Sequence, residues 1–437
     1  MLDWLPRLPR FQPLEPWQKN QYSVVLAVGL AFTAFELSQP FIPLFIRELG
    51  TSDLAEAAFW SGLVAGVAPL GAAIMGPVWG AMADKYGRKP MVLRALIFIG
   101  VMQFSMAFVP NVQWLLGIRI LMGLFAGFTA MAMALAIAVS PREKMAQAIG
   151  LTQAAQIAPA AIGPIVGGLI TDAFGTRAAF MVTGVLLIVP SVLLGFVVKE
   201  SFEGAPTHRA SAKAKATHGS VFSLFMIPGF AAALMILFMA RFSDRAMTPI
   251  LPLYLIELDT PAALLATITG AVAATGALAA TCSSIAYGRR ARPENTRRLL
   301  IVALAGGAVF SILLALVGSW VEAIVVRILL GLLAGGTISL AYTMGARLAP
   351  SERSTVTLSV LASCGMLGSA SAPILAGMLS QFSLRAVFLA MATAYLIAVG
   401  LSVVPGRLAK RGAQGEARDA VGAAAAGGAP DGRRDAR

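Results

Sequence analysis

Long apolar runs separated by short polar turns fill most of the chain. A helix needs about 20 apolar residues to cross the hydrocarbon core of a bilayer, and the runs predict twelve membrane spans. The first six lie near 22–46, 58–82, 91–109, 114–138, 146–171 and 179–198, and the second six near 229–255, 263–287, 299–318, 321–346, 355–380 and 386–404. The pattern therefore predicts an all-α integral membrane protein.

Polar stretches beside and between the spans divide the chain into five parts. They are an N-terminal tail (1–20), a six-helix bundle (21–198), a polar linker (199–220), a second six-helix bundle (221–405) and a C-terminal tail (406–437). The second tail is rich in Ala, Gly, Arg and Asp without an apolar period, so we expect it to be disordered. Because the number of spans is even, both tails lie on one side of the membrane.

Three short segments of the first half recur in the second half at one register. RILMGLFAG at 119–127 recurs as RILLGLLAG at 327–335, and PLFIREL at 43–49 as PLYLIEL at 252–258. FGTRAAF at 174–180 recurs as FSLRAVF at 382–388, and all three pairs are about 208 residues apart. Two parallel halves with a site between them are a transporter architecture.

The distribution of charge also favours a membrane protein. Only 13% of the residues are charged, against roughly a quarter in soluble domains. Of the 34 Lys and Arg residues, 26 fall in the tails and in loops on one side, three on the other side and five within spans. This asymmetry orients membrane helices and predicts cytoplasmic termini. The net charge of +13 is therefore no indication of nucleic-acid binding.

A basic motif and a glycine motif point to one family. GAMADKYGRK at 80–89, between spans 2 and 3, resembles the loop motif of the major facilitator superfamily. GPIVGG at 163–168 in span 5 resembles the antiporter motif of its drug:proton exporters, and Arg119 with Gly123 and Gly127 resembles their span 4 motif. The resemblance implies a bacterial multidrug efflux transporter: a monomer in the inner (plasma) membrane, made of two pseudo-symmetric six-helix bundles.

The resemblance also assigns roles to the two motifs. It implies a gating loop that latches the two halves, formed by Gly80, Asp84, Lys85, Gly87, Arg88 and Lys89. It implies an antiporter motif formed by Gly163, Pro164, Gly167 and Gly168. The second half has Arg292 at the position of Asp84, so the gating role is expected of the first loop only. Close helix packing through small residues is the alternative role of the glycines.

Charged residues within the spans are the candidates for chemistry, because a charge in the bilayer is costly and is usually functional. Glu36 lies midway along span 1, where a carboxylate can bind a proton from one side and release it to the other. The alternative is a structural ion pair with Arg119 or Arg245. The candidates that lie beyond the first two residues of a predicted span are Glu36, Arg94, Arg119, Arg241, Asp244, Arg245 and Arg327.

The repeat and the family resemblance suggest how these charges are arranged. Arg245 occupies the position of Glu36 in the other half, and the resemblance implies that spans 1 and 7 line the central cavity. It also implies that Arg119, always charged, favours an ionised Glu36. Asp244 either pairs with Arg241 or Arg245 or is a second protonatable group. Phe35 belongs to the expected cavity wall, with Phe32, Met131, Met133 and Phe242 as further candidates.

These features predict proton-coupled export of small amphipathic or drug-like compounds. The alternative is a symporter or uniporter for a sugar or an organic acid, with Arg241 and Arg245 serving an anionic substrate. The chain has no Gly-x-x-x-x-Gly-Lys-Ser/Thr loop for ATP, and both histidines, His208 and His218, lie in the linker. We therefore expect that the protein is not an enzyme and that it has no cofactor or metal site. The expected partners are protons, a small molecule and the lipid bilayer.

Overall fold

The computed structural model describes residues 15–125, 127–198, 229–348 and 354–403. The linker at 199–220, the C-terminal tail and most of the N-terminal tail lie outside these residues. Within them the secondary structure is helical, without strands. The first helix begins at Pro16, earlier than the sequence indicates, with proline at a first-turn position where its missing N–H costs nothing.

The helices of the first half form spans 1 to 6. Spans 2 and 3 are the single helices Leu54–Tyr86 and Arg88–Ser105. The other four spans are each built from two helical pieces. These are Pro16–Ser38 with Ile42–Glu48 (span 1), Val112–Phe125 with Phe128–Ala138 (span 4), Met145–Ile157 with Gly163–Phe174 (span 5) and Thr176–Leu186 with Ile188–Val197 (span 6).

The second half repeats this order as spans 7 to 12. Spans 7 and 10 consist of two pieces, Phe230–Ala246 with Leu251–Glu257 and Trp320–Ala334 with Thr337–Leu348. The remaining spans are Leu265–Arg290 (span 8), Thr296–Leu316 (span 9), Ser354–Leu379 (span 11) and Leu384–Val403 (span 12). Eleven spans are long and apolar enough to cross a membrane as counted over the described residues. Span 7 falls outside that count because its pieces have only 17 and 7 residues, and with it the predicted twelve-span all-α fold is confirmed.

The two halves match in their irregularities as well as in their helices. The turn after Ser38 in span 1 corresponds to the turn after Ala246 in span 7. Span 4 is interrupted at Gly127, which has the positive φ of 96° that glycine tolerates best, and span 10 is interrupted between Ala334 and Thr337. The break in span 4 leaves main-chain carbonyls without helical partners, and the Trp79 indole N–H donates to one of them at 2.8 Å, that of Leu124.

Two of the repeated sequence segments meet at one end of each bundle. We call this the loop-1 end, because it carries the turn at 49–53. In the first half, the rings of Phe45 and Phe180 lie 4.9 Å apart, and Arg177 donates to the carbonyl of Ala107 at 2.6 Å. The corresponding positions in the second half form an equivalent cluster. Its contacts are Tyr254 to the Phe388 ring at 4.7 Å, the Tyr254 hydroxyl to the Leu314 carbonyl at 2.6 Å, and Arg385 to Glu257 at 3.0 Å.

The opposite end, called the loop-2 end for the turn at Gly87, has its own repeated contact. Lys89 donates to the carbonyls of Gly195 and Val198, at 2.8 and 2.7 Å. Arg297, at the corresponding position of the second half, donates to the last carbonyls of span 12. A cation is favourable at a helix C-terminus, where carbonyls lack partners and the dipole is negative. Lys89 therefore stabilises the end of span 6, whatever its part in gating.

The two halves pack closely toward the loop-1 end. A Cβ atom added to Gly62 of span 2 would lie 2.8 Å from the Cα of Gly377 in span 11. A Cβ atom on Gly168 of span 5 would lie 2.8 Å from the Cα of Thr267 in span 8. Small residues allow such close approach between membrane helices. In this conformation the loop-1 end is closed by direct backbone packing.

Candidate functional site

Glu36 lies on span 1 near the centre of the molecule, three residues before the helical break. Its side chain is partly buried, and span 5 passes directly behind it. A Cβ atom on Gly163 would lie 2.6 Å from the Glu36 Cβ. Among the described residues, no hydrogen bond or ion pair within 4.0 Å holds the carboxylate. It is therefore available for a proton or a cation.

The charges nearest to Glu36 come from the other half of the molecule. Arg245 and Asp244 of span 7 are the charged groups whose fields reach it. They contact each other at 3.7 Å, and their side chains remain 51% and 43% exposed although they belong to a membrane span. Such exposure at the middle of the bundle indicates a water-accessible cavity between the halves. The structure thus brings Glu36, Asp244 and Arg245 to one region.

Arg119 lies apart from this group. Its side chain is only 2% exposed, and its Nε and Nη2 atoms have no hydrogen-bond partner among the described residues. Within the described part of the chain, Arg119 and Glu36 form no ion pair within 4.0 Å. The ion pair of Glu36 with Arg119, given above as an alternative to proton carrying, is therefore absent from this conformation. Because both residues belong to the first half, a role for Arg119 in proton release would need a rearrangement of spans 1 and 4 within that half.

Asp244 also takes part in a polar cluster within the second half. A cavity of about 60 Å³ is lined by Asp244, Ser243, Arg327 and Tyr395 together with apolar residues. Arg327 is the repeat counterpart of Arg119, yet it has a carboxylate within electrostatic reach. Its guanidinium packs over Gly276, where a Cβ atom would lie 2.6 Å from Nε. The sequence singled out Arg327 only as a charged residue within a span and as the repeat counterpart of Arg119, and it gave no indication of Tyr395.

The remaining cavity candidates divide into two groups. Phe35 is partly buried and packs edge-to-face on Phe32, with ring centroids 6.1 Å apart. Arg241 is also partly buried and lies against Gly365 and Gly368 of span 11. Met131 and Phe242, in contrast, are only 2% and 7% exposed. These two belong to the packed core and are corrections to the expected cavity wall.

The antiporter motif is a junction of three spans. Gly163 and Gly167 face span 1, where a Cβ atom on Gly167 would lie 2.8 Å from the Phe41 ring. Pro164 and Gly168, one residue further round the helix, face span 8 of the other half, and Gly270 packs against the Pro164 carbonyl. Residues four apart lie on one helix face, which explains the spacing. The motif therefore connects the helix carrying Glu36 to the interface between the halves.

The predicted gating loop surrounds the turn at Gly87, at the loop-2 end. Asp84 is exposed and has no hydrogen bond or ion pair within the part of the chain that is described. Gly87 has a φ of 95°, so the tight turn requires glycine. Arg88 donates to the carbonyl of Ala134 at 3.2 Å and so ties the loop to span 4. The gating role of this loop stays a prediction.

Comparisons with known proteins agree with this architecture. The family model described as Major Facilitator Superfamily matches residues 24–295 and 295–430. The chain is 31% identical over 382 residues to the "Multidrug resistance protein MdtG" of Yersinia enterocolitica, covering 87% of this chain and 91% of that protein. It is 31% identical over 322 residues to the "Multi-drug resistance efflux pump PmrA" of Streptococcus pneumoniae, covering 74% and 79%.

Solved structures show the same fold at lower identity. A bacterial homologue of the human lysosomal transporter Spinster, in an inward-facing and occupied conformation, matches with a TM-score of 0.74 and 16% identity over 90% of this chain and 98% of that one. A D-xylose-proton symporter matches with a TM-score of 0.70 and 13% identity over 87% and 97%. These likenesses concern the fold alone.

Proposed function

The chain belongs to the Major Facilitator Superfamily, and we propose that it exports small amphipathic or drug-like compounds in exchange for protons by alternating access. As a member of this family it is a multi-pass membrane transporter of small molecules and not an enzyme. Relatives named as multidrug efflux pumps support export. We further propose a monomer in the bacterial inner membrane, with both termini and the loop-2 end in the cytoplasm.

The observation that carries the proton coupling is the position of Glu36. Its carboxylate has no close partner among the described residues, faces Asp244 and Arg245 of the other half, and lies against the antiporter motif. A carboxylate between two moving halves is a suitable carrier, because its surroundings change when the halves rearrange. Asp244 is proposed as a second protonatable group, and Arg119 as an electrostatic aid in the alternate state.

The substrate is proposed to bind between the halves, against Glu36, Phe35, Arg241 and Arg245. Aromatic surface and charges of both signs suit amphipathic compounds of varied structure. In the outward-open state, Asp84, with the other residues of the gating loop, is proposed to close the loop-2 end. The antiporter motif is proposed to keep spans 1 and 5 in register within the first half and to pack against span 8 while the loop-1 end is closed.

Everted membrane vesicles provide the test. An imposed pH gradient should drive accumulation of a cationic dye, and Glu36→Gln should abolish that accumulation. Glu48→Gln is the matched control, because Glu48 lies on the same span but accepts a hydrogen bond from Thr176 at the loop-1 end. Full gradient-driven transport by Glu36→Gln would contradict the proposed role. Gradient-driven uptake of a sugar or an organic anion by right-side-out vesicles, without dye transport, would favour a symporter.

A further inference from the structure

Span 8 begins without a cap from its own sequence. The residue that precedes its first helical position is Leu264, which offers no side-chain hydrogen bond to the first turn. Span 2, the counterpart in the first half, begins after Asp53, whose carboxylate accepts the N–H of Glu56 at 2.8 Å. The first N–H groups of a helix have no helical partners and need an acceptor.

Asp172 supplies the missing cap from the other half of the molecule. It lies near the end of span 5, and its two carboxylate oxygens accept the N–H groups of Ala266 and Thr267 at 3.0 and 2.7 Å. These are the second and third helical positions, which a capping side chain normally serves. The negative charge also lies at the positive end of the helix dipole. Hydrogen bonds to a charged acceptor are stronger than neutral ones.

Close backbone contacts on both sides of this cap fix the position of span 8 relative to span 5. One turn before Asp172, Gly168 packs against the backbone of Ala266 and Thr267, and Gly270 packs against Pro164. Both contacts join the two halves at the loop-1 end. When that end opens, span 8 moves away from span 5, and both hydrogen bonds of Asp172 must break. The cap therefore exists in only one of the two states of the transport cycle.

We propose that Asp172 is a positioning residue for transport, whose carboxylate holds the loop-1 end closed by capping span 8 from the opposite half. The cap breaks when this end opens and forms again when it closes. This inference rests on the proposed alternating-access function. Asp53 provides the contrast, because it caps span 2 within one half. Its hydrogen bond therefore does not depend on the relative position of the halves.

Distances between spin labels measure the state of the loop-1 end without any transport assay. We place labels at Gln113 and Gln381, which are exposed at that end on opposite halves, after replacing the two free cysteines by Cys282→Ser and Cys364→Ser. Asp172→Ala should raise the ratio of open to closed protein by about tenfold, equivalent to about 1.4 kcal/mol. Asp53→Ala should leave the distance distribution unchanged. An unchanged distribution in Asp172→Ala overturns the proposal.

A transplanted cap separates gating from simple stabilisation of the helix. Leu264→Asp places a carboxylate at the start of span 8 itself, at a side chain that is 53% exposed. The double variant Asp172→Ala/Leu264→Asp should recover thermal stability yet remain open and transport slowly. Recovery of both wild-type distances and wild-type transport would show a merely structural role and overturn the proposal. If Asp172→Ala does not fold, Leu264→Asp alone takes its place as the test. It should shift the spin-label distances partly toward those of the open loop-1 end.

The two proposals fail in different ways. Absence of proton-driven dye transport in wild-type vesicles would contradict proton-coupled export. The label distances would still report whether Asp172 holds the loop-1 end closed. Unchanged distances together with normal proton-driven transport would remove the cap proposal and leave the proposed function intact.

Discussion

Replacing Gly163 by alanine tests whether the antiporter motif sets the position of Glu36. The new Cβ would lie 2.6 Å from the Glu36 Cβ and 3.1 Å from its carbonyl carbon. Carbon atoms in contact are normally about 3.5–4.0 Å apart, so spans 1 and 5 must separate by about 1 Å. Overpacking of this kind costs about 1–3 kcal/mol. A displacement of about 1 Å at a reacting group can lower a rate about 100-fold.

We therefore expect Gly163→Ala to remain folded and to lose at least about tenfold in gradient-driven transport, given the magnitudes above. The assay is the initial rate of dye accumulation in everted vesicles, normalised to the amount of transporter in the membrane. Gly150→Ala is the matched control on the same span, because nothing lies within 4 Å of its added Cβ. Wild-type transport by Gly163→Ala would refute the idea that this glycine positions the carboxylate.

Two further substitutions test packing, the first within the second half and the second between the two halves. Tyr254→Phe removes a hydroxyl that donates to the Leu314 carbonyl. The loss should lower the free energy of unfolding by about 1–2 kcal/mol, measured as a lower melting temperature in detergent. An unchanged melting temperature would contradict this expectation. Gly62→Ala brings a carbon to 2.8 Å from Gly377 and should open the loop-1 end, at a cost of about 1–3 kcal/mol to the closed state. Gly76→Ala, on the same helix with nothing within 4 Å, should not open it, and equal spin-label distances in both variants would argue against backbone packing as the closing contact.

The sequence by itself determined the membrane class, the twelve spans and the repeat. Both signals can be counted directly along the chain. The length of an apolar run is compared with the thickness of the bilayer, and the distribution of cations among the loops predicts the orientation of the helices. The internal repeat was also evident from the sequence alone. Phe45 and Phe180 come from two repeated segments and meet in the structure, as their counterparts Tyr254 and Phe388 do in the second half.

The contacts between the halves were decided by the tertiary structure. Glu36 was identified as the central carboxylate because a charge within a long apolar run is conspicuous, and its role stays a prediction. Its neighbours depend on the rotation and separation of helices more than 200 residues apart in sequence, so the structure selected Asp244 and Arg245 and left Arg119 aside.

Asp172 marks the limit of the sequence most clearly. It lies at the end of a predicted span, where a carboxylate is unremarkable beside solvent, and no motif includes it. Its function follows from a missing cap on span 8 and from two hydrogen bonds that join residues 94 and 95 positions apart. Whether a helix end is capped by its own residue or by the opposite half depends on tertiary packing. The residues near the helix end in sequence do not reveal which of the two occurs.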